Sequence, residues 1–317
     1  MSLRTNAQTL RGSITPLMTP FTPDGELDYE SLTNAVKWQL ANGSHGLSIG
    51  GSTGEPTAQT SAERLAAIKA VLAASEHAVP VIPGTGTTKL AETIELTGQA
   101  YELGIDAALI ITPYYARPTQ EALYVWYKTV AAEFPDLPIL AYNVPSRTSV
   151  DIAPETVARL FRDVENFVGI KETTRDFEHF SRTIQLSGRD LVVWSGIELL
   201  CLPLLALGGL GFLSAAANIA PAAHAELYER WIAGDKEGAL ELHYGLHPLV
   251  DLIFTETNPA AGKWVLEQIG VFKSGFVRPP LIPLSDAGQA KAEILLEQGG
   301  KYLTEVANEF NIGAVNA

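Results

Sequence analysis

Phe167-Val168-Gly169-Ile170-Lys171-Glu172-Thr173-Thr174 opens as an apolar run of strand length and closes on a lysine. The run reads as a buried strand of a parallel sheet. Alternation puts Gly169, Lys171 and Thr173 on one face and Val168 and Ile170 on the other. An ammonium without a partner in such a place is costly, and burial would lower its pKa by disfavouring the charged form. A neutral amine is what a carbonyl compound needs to form a Schiff base. Taken alone, a strand-end lysine reads more simply as one that reaches solvent or pairs with a carboxylate. The rest of the chain bears on that choice.

Outward from this stretch, short apolar runs alternate with amphipathic helical segments from near the N-terminus to about residue 230. Strands are predicted at residues 13–21, 46–50, 79–83, 107–112, 138–144, 168–173, 191–195 and 211–216, with helices at 28–42, 61–76, 89–103, 120–134 and 154–161. Thr60 or Ser61 ahead of Glu63, and Pro154, signal helix starts, while Asn42-Gly43 and Gly104 signal ends. Eight β/α units in succession predict the α/β class, as a (β/α)8 TIM barrel rather than a doubly wound sheet. No dinucleotide fingerprint follows the first strand. Beyond about residue 222 strands stop. The expected organisation is a barrel over residues 1–230 that carries the site and a C-terminal helical extension, 231–317, packed on it.

The composition narrows the function. Of the 317 residues 46% are hydrophobic and 18% charged, which is ample for a core. The net charge of −14, with Lys and Arg scattered, leaves no footprint for nucleic acid and disfavours anionic membranes. Cys201 is the only cysteine and lies in the apolar run 199–207, so it is expected to be an inert core residue. Residues 1–8 are polar and lack a signal peptide's apolar core, and no apolar stretch is long enough to span a bilayer. A cytoplasmic protein is expected.

In a (β/α)8 barrel the chemistry sits at the C-terminal ends of the strands and on the loops that follow them. After the second strand comes Gly50-Gly51-Ser52-Thr53-Gly54-Glu55, a turn that can present backbone N–H groups and two hydroxyls to a small carboxylate. An ordinary glycine-rich βα turn is the alternative. Thr112-Pro113-Tyr114-Tyr115-Ala116-Arg117-Pro118 follows the fourth strand, and its tyrosines suit packing, an interface or proton relay. The fifth strand runs into Tyr142-Asn143-Val144-Pro145-Ser146-Arg147-Thr148, where a tyrosine could serve as acid and base and an arginine could grip a carboxylate. Lys171 ends the sixth. His243 and His247 stand four apart but have no supporting ligands in the sequence, so no metal is expected.

On these residues the chain resembles the dihydrodipicolinate synthase and N-acetylneuraminate lyase superfamily of Schiff-base pyruvate aldolases. The matching stretches are Thr19-Pro20-Phe21, Gly51 to Glu55, Thr112 to Gln120, Tyr142 to Thr148, Gly169 to Glu172 and Leu205 to Pro221. The Tyr142 to Thr148 stretch looks most like dihydrodipicolinate synthase. The resemblance implies that Lys171 forms an imine with pyruvate, with no metal or organic cofactor. It implies that Ser52 and Thr53, with Gly51, hold the pyruvate carboxylate, and that Tyr142, Ser52 and Tyr115 relay protons, Tyr115 across a subunit interface. Arg147 would bind aspartate 4-semialdehyde, and Gly196 would line the site. A homo-oligomer, a dimer of dimers, is implied as well, and so is a product, 4-hydroxy-tetrahydrodipicolinate, that lies on the way to lysine. Three departures stand out, and one is Asn258-Pro259-Ala260-Ala261-Gly262-Lys263 near the C-terminus, where the family usually has Asn-Pro-Ile-Pro. Ser195-Gly196-Ile197-Glu198 replaces the usual Ser-Gly-Asp-Asp, which leaves open another pyruvate-dependent aldolase or a 2-keto-3-deoxy sugar acid lyase or dehydratase. Pro56, Ser61 and Arg64 replace the residues that bind feedback lysine, so strong lysine inhibition is not expected. A catalytically idle binding protein is the remaining alternative, because a fold does not fix a function.

Overall fold

The structure is a computed structural model that describes residues 3–304. Its seven strands are β1 (Gly12–Pro16), β2 (Gly46–Ser48), β3 (Ala108–Ile111), β4 (Ile139–Asn143), β5 (Phe167–Glu172), β6 (Val192–Ser195) and β7 (Gly211–Phe212). The chain divides into two compact units. One holds the residues up to Gly12 together with Pro80–Leu213, and the other holds Ser13–Val79 and the chain from Ser214 onward.

In the first unit β7, β6, β5, β4 and β3 lie side by side in that order, all parallel. Parallel neighbours need crossovers, and helices Gln120–Glu133, Pro154–Asp163, Phe177–Ser187 and Cys201–Ala206 supply them. Every residue of β4 and β5 is buried, as expected for a sheet covered on both faces. A close approach explains Gly169. A Cβ there would come within 2.3 Å of the Val192 carbonyl oxygen, so β6 can lie against β5 only over a glycine. Trp194, fully buried on β6, donates its indole N–H to the Leu10 carbonyl at 2.9 Å.

In the second unit β1 and β2 pair in parallel, Ile14 opposite Gly46 and Pro16 opposite Ser48. Helices Tyr29–Ala41 and Ser61–Ser75 follow these strands, and Pro221–Ile232, Lys236–Gly245, His247–Ile253, Ala260–Gln268 and Asp286–Gly299 complete the unit. The expected start signal at Thr60 is a full capping box. Its hydroxyl accepts from the Glu63 N–H while the Glu63 carboxylate accepts from the Thr60 N–H. Gly43 and Gly104, the expected stops, both have the positive φ of a helix terminus, +81° and +87°.

The predicted strand at 79–83 is the largest departure. This segment runs beside β3, with Leu109 N–H donating to Pro83 O and Thr85 N–H to Leu109 O. Pro80 and Pro83 have no N–H to give, so the ladder stays incomplete and only isolated bridges form. Prolines also shorten the first strand, which ends at Pro16 rather than residue 21. No helix among the described residues is long and apolar enough to cross a membrane.

Candidate active site

In the first unit Lys171 sits on β5 between Tyr142 of β4 and Trp194 of β6, its register partners on either side. It is 6% exposed, and its Nζ lies 4.2 Å from the centre of the Tyr142 ring. No carboxylate among the described residues pairs with this amine. Gly196, just past β6, is what leaves room for it. A Cβ at that position would fall 2.7 Å from Lys171 Cε and 2.2 Å from Thr173 Oγ1. The Thr173 hydroxyl is itself buried without a hydrogen-bond partner among the described residues. Sequence reading placed Thr173 on the lysine's face but gave it no role.

Arg147 lies five residues beyond Tyr142, in the single turn Pro145–Thr148. It is exposed, and its guanidinium is paired with no carboxylate among the described residues. Tyr115 is 95% exposed, in a left-handed conformation with φ +71°. Its phenol makes no hydrogen bond or ring contact among the described residues, so this chain by itself does not bring Tyr115 to Tyr142. Cys201 is buried, its thiol pushed up by desolvation, with Sγ directed at the Ile197 carbonyl. His243 and His247 hold their rings 5.1 Å apart and nearly perpendicular, with no third ligand among the described residues.

Behind Lys171, on the opposite face of β5, lies a network that the sequence did not reveal. Glu172 is 1% exposed, and burial pushes its carboxyl up to about 8. Asn143 Nδ2 donates to Glu172 Oε1 at 2.8 Å and to Asp151 Oδ1 at 2.7 Å. His179 Nδ1 stands 3.3 Å from Glu172 Oε2, and His179 Nε2 stands 3.0 Å from the Ile152 carbonyl. A carbonyl only accepts, so Nε2 carries a hydrogen, and Nδ1 faces the carboxyl.

In the second unit the turn after β2 contains Gly51, Ser52 and Thr53. Gly51 is extended and Ser52–Gly54 form a single 3-10 turn, with Ser52 half-buried and Thr53 buried. The turn is tied by five other residues. Thr19 Oγ1 and Gln59 Nε2 both donate to the Gly54 carbonyl, at 2.8 and 2.6 Å. Asn258 Nδ2 donates to Thr53 Oγ1 at 3.0 Å. Glu55, in left-handed backbone at φ +55°, is held by Lys263 Nζ at 2.5 Å and by the Arg278 N–H at 2.9 Å. Sequence reading found the turn, and marked the stretch from Asn258 to Lys263 only as a departure from the family pattern, without linking it or Arg278 to the turn. Asn258 lies 205 residues from Thr53, and no local pattern connects them.

Each group therefore stands at or just past the C-terminal end of a parallel strand. That is the arrangement of β/α enzymes of the barrel class, and a buried amine beside a phenol within it defines a candidate imine-forming site. The model of the Dihydrodipicolinate synthetase family matches residues 9–299, and the chain belongs to that family. It is 46% identical over 290 residues to a 4-hydroxy-tetrahydrodipicolinate synthase of Thermus thermophilus, a match that covers 92% of this chain and 96% of the relative. A protein of the same name from Coxiella burnetii is 43% identical over 289 residues, 91% of this chain and 98% of the relative. Among solved structures, dihydrodipicolinate synthase from Thermotoga maritima superposes with a TM-score of 0.88 at 39% identity, covering 92% of this chain and 98% of that one. A chloride-inhibited dihydrodipicolinate synthase from Acinetobacter baumannii, complexed with pyruvate, does so with a TM-score of 0.88 at 37% identity, over 92% and 99%. The fold class is thus the expected α/β one of a (β/α)8 barrel with C-terminal helices.

Proposed function

We propose that the protein condenses pyruvate with aspartate 4-semialdehyde to give 4-hydroxy-tetrahydrodipicolinate, through a Schiff base on Lys171. The observation that carries this reading is the buried, carboxylate-free amine of Lys171 at the Tyr142 ring, with Gly196 clearing the space beside it. The family membership and the names of the relatives support it.

The chemistry runs as follows. The Lys171 amine adds to the pyruvate ketone, and the adduct loses water to give an iminium. The pyruvate carboxylate rests on the turn at Gly51, Ser52 and Thr53. The iminium draws electrons from the methyl carbon, which gives up a proton to become an enamine. Tyr142, working with Ser52 and with Tyr115 of a second subunit, carries protons in and out, a role worth roughly 10²–10⁴-fold in rate. The enamine carbon attacks the aldehyde, whose carboxylate Arg147 holds. The product's own amine then displaces Lys171 and closes the ring. No metal or organic cofactor enters these steps.

The same reading takes the protein as cytoplasmic and as a homo-oligomer, a dimer of dimers, in which an exposed Tyr115 finds its use. It makes no use of nucleic acid or membrane. It keeps the division into a barrel over residues 1–230 and a helical extension over 231–317, of which 305–317 lie outside the described residues. Ile197 and Glu198 favour a second reading, a pyruvate-dependent aldolase or 2-keto-3-deoxy sugar acid lyase or dehydratase with another aldehyde. Arg147→Ala separates the two. Losing a charge-assisted pair costs about 1.5–3 kcal/mol, so kcat/KM for aspartate semialdehyde should fall roughly 10- to 150-fold while pyruvate still forms its imine. An unchanged rate with that aldehyde would favour the second reading.

A further inference from the structure

We propose that Asn258 is a positioning residue, which directs the Thr53 hydroxyl hydrogen toward the bound carboxylate. The inference deepens the reading of the Gly51–Thr53 turn as the pyruvate carboxylate site and rests on it. Its argument is a count of hydrogens. A threonine hydroxyl has one hydrogen to give and two lone pairs to receive with. Asn258 Nδ2, buried with its residue 6% exposed, donates to Thr53 Oγ1 at 3.0 Å and so occupies a lone pair. The hydroxyl keeps its hydrogen for an acceptor, and a carboxylate is an acceptor only. Had the partner been an aspartate, it would have claimed that hydrogen and set a negative charge against the ligand's own.

Two further observations fit a group built for orientation. Asn258 Oδ1 is buried with no donor among the described residues, so the amide is held here at the cost of an unpaired acceptor. The chain just past Thr53 is also tied. Gly54 O receives two donors, and Glu55 is pinned by Lys263 and by the Arg278 N–H. With the main chain held, the one freedom left to Thr53 is rotation of its hydroxyl, and Asn258 acts on that freedom. The region C-terminal to the last strand thereby becomes part of the carboxylate site.

The test compares steady-state kinetics of Thr53→Val, Asn258→Ala, Asn258→Asp and the Thr53→Val/Asn258→Ala double variant, with thermal unfolding of each. The inference expects Thr53→Val to raise KM for pyruvate roughly tenfold, about the worth of a hydrogen bond to a charged group. Asn258→Asp should raise it at least as much and more than Asn258→Ala, with kcat changing less than KM. The double variant should be little worse than Thr53→Val, because both substitutions remove one directed hydroxyl. If Thr53→Val raises KM but both Asn258 variants stay within about twofold of the parent, the inference is overturned and the carboxylate reading stands. A double variant whose effect is the product of the single ones overturns it equally. If Thr53→Val itself leaves KM unchanged, both fall. Asn258→Ala and Asn258→Asp serve as independent probes, so a folding failure in one leaves the other to decide.

Discussion

Glu172 follows the candidate nucleophile directly and faces the other way, and its protonation is set by burial. Its carboxyl titrates near 8 in the folded chain against 4.5 without the fold, so the folded state keeps a proton that the unfolded chain has given up. Unfolding between about pH 4.5 and 8 therefore releases a proton, and stability falls as pH rises through that window, by at most about 1.4 kcal/mol per pH unit. Glu172→Gln imitates the protonated acid, since it is uncharged and its amide oxygen can accept from Asn143 as Oε1 does. The variant should match the parent near about pH 5 and gain on it steadily to about pH 8 in urea unfolding. Parallel pH curves for the two proteins would contradict this account. The sequence did contain a hint, because alternation places Glu172, a charged residue, on the apolar face of a buried strand. It held no hint of the answering His179, which a separate helix brings round.

At the scale of elements, the sequence was clearest where one local rule decides. The capping box at Thr60, the glycines after two helices and the buried strand β5 behave as read. The reading failed where a pattern met a missing donor. Residues 79–83 have the hydropathy of a strand, but Pro80 and Pro83 cannot complete a ladder. The turn after β2 lies where it was read, but what fixes it comes from the far end of the chain and was not seen. Lys263 is fully buried, and burial pushes its amine down to about 8 even with the opposing pull of the Glu55 carboxylate 2.5 Å away. Lys263 also donates to the Phe276 carbonyl and lies over the Phe21 ring. Removing one partner of such a pair leaves a bare charge in a dry site. Lys263→Met should cost about 3–5 kcal/mol in denaturant unfolding, and adding Glu55→Gln should restore a substantial part. A Lys263→Met protein as stable as the parent would show that the pair does not hold the turn.

For the whole molecule, the order of strands and helices was legible because parallel β/α repeats announce themselves in alternating periods. Lys171, Tyr142, Arg147 and the Ser52–Thr53 turn were legible because each follows the C-terminal end of a strand, where this class of fold carries its chemistry. The groups that support them were not, since burial and long-range hydrogen bonds leave no period in a sequence. Tyr115 illustrates the limit at this scale. Its place in the chain suggested a relay, yet it stands exposed, and only an assembly of subunits gives it a task under the proposed mechanism. The claim on which the account turns is that Lys171 carries pyruvate covalently. Incubating the protein with pyruvate and borohydride, then mapping the modified peptide by mass, tests it directly. The account predicts a reduced pyruvate adduct on Lys171, absent from Lys171→Ala. A folded protein that takes up no adduct, or takes it up on another lysine, would contradict it.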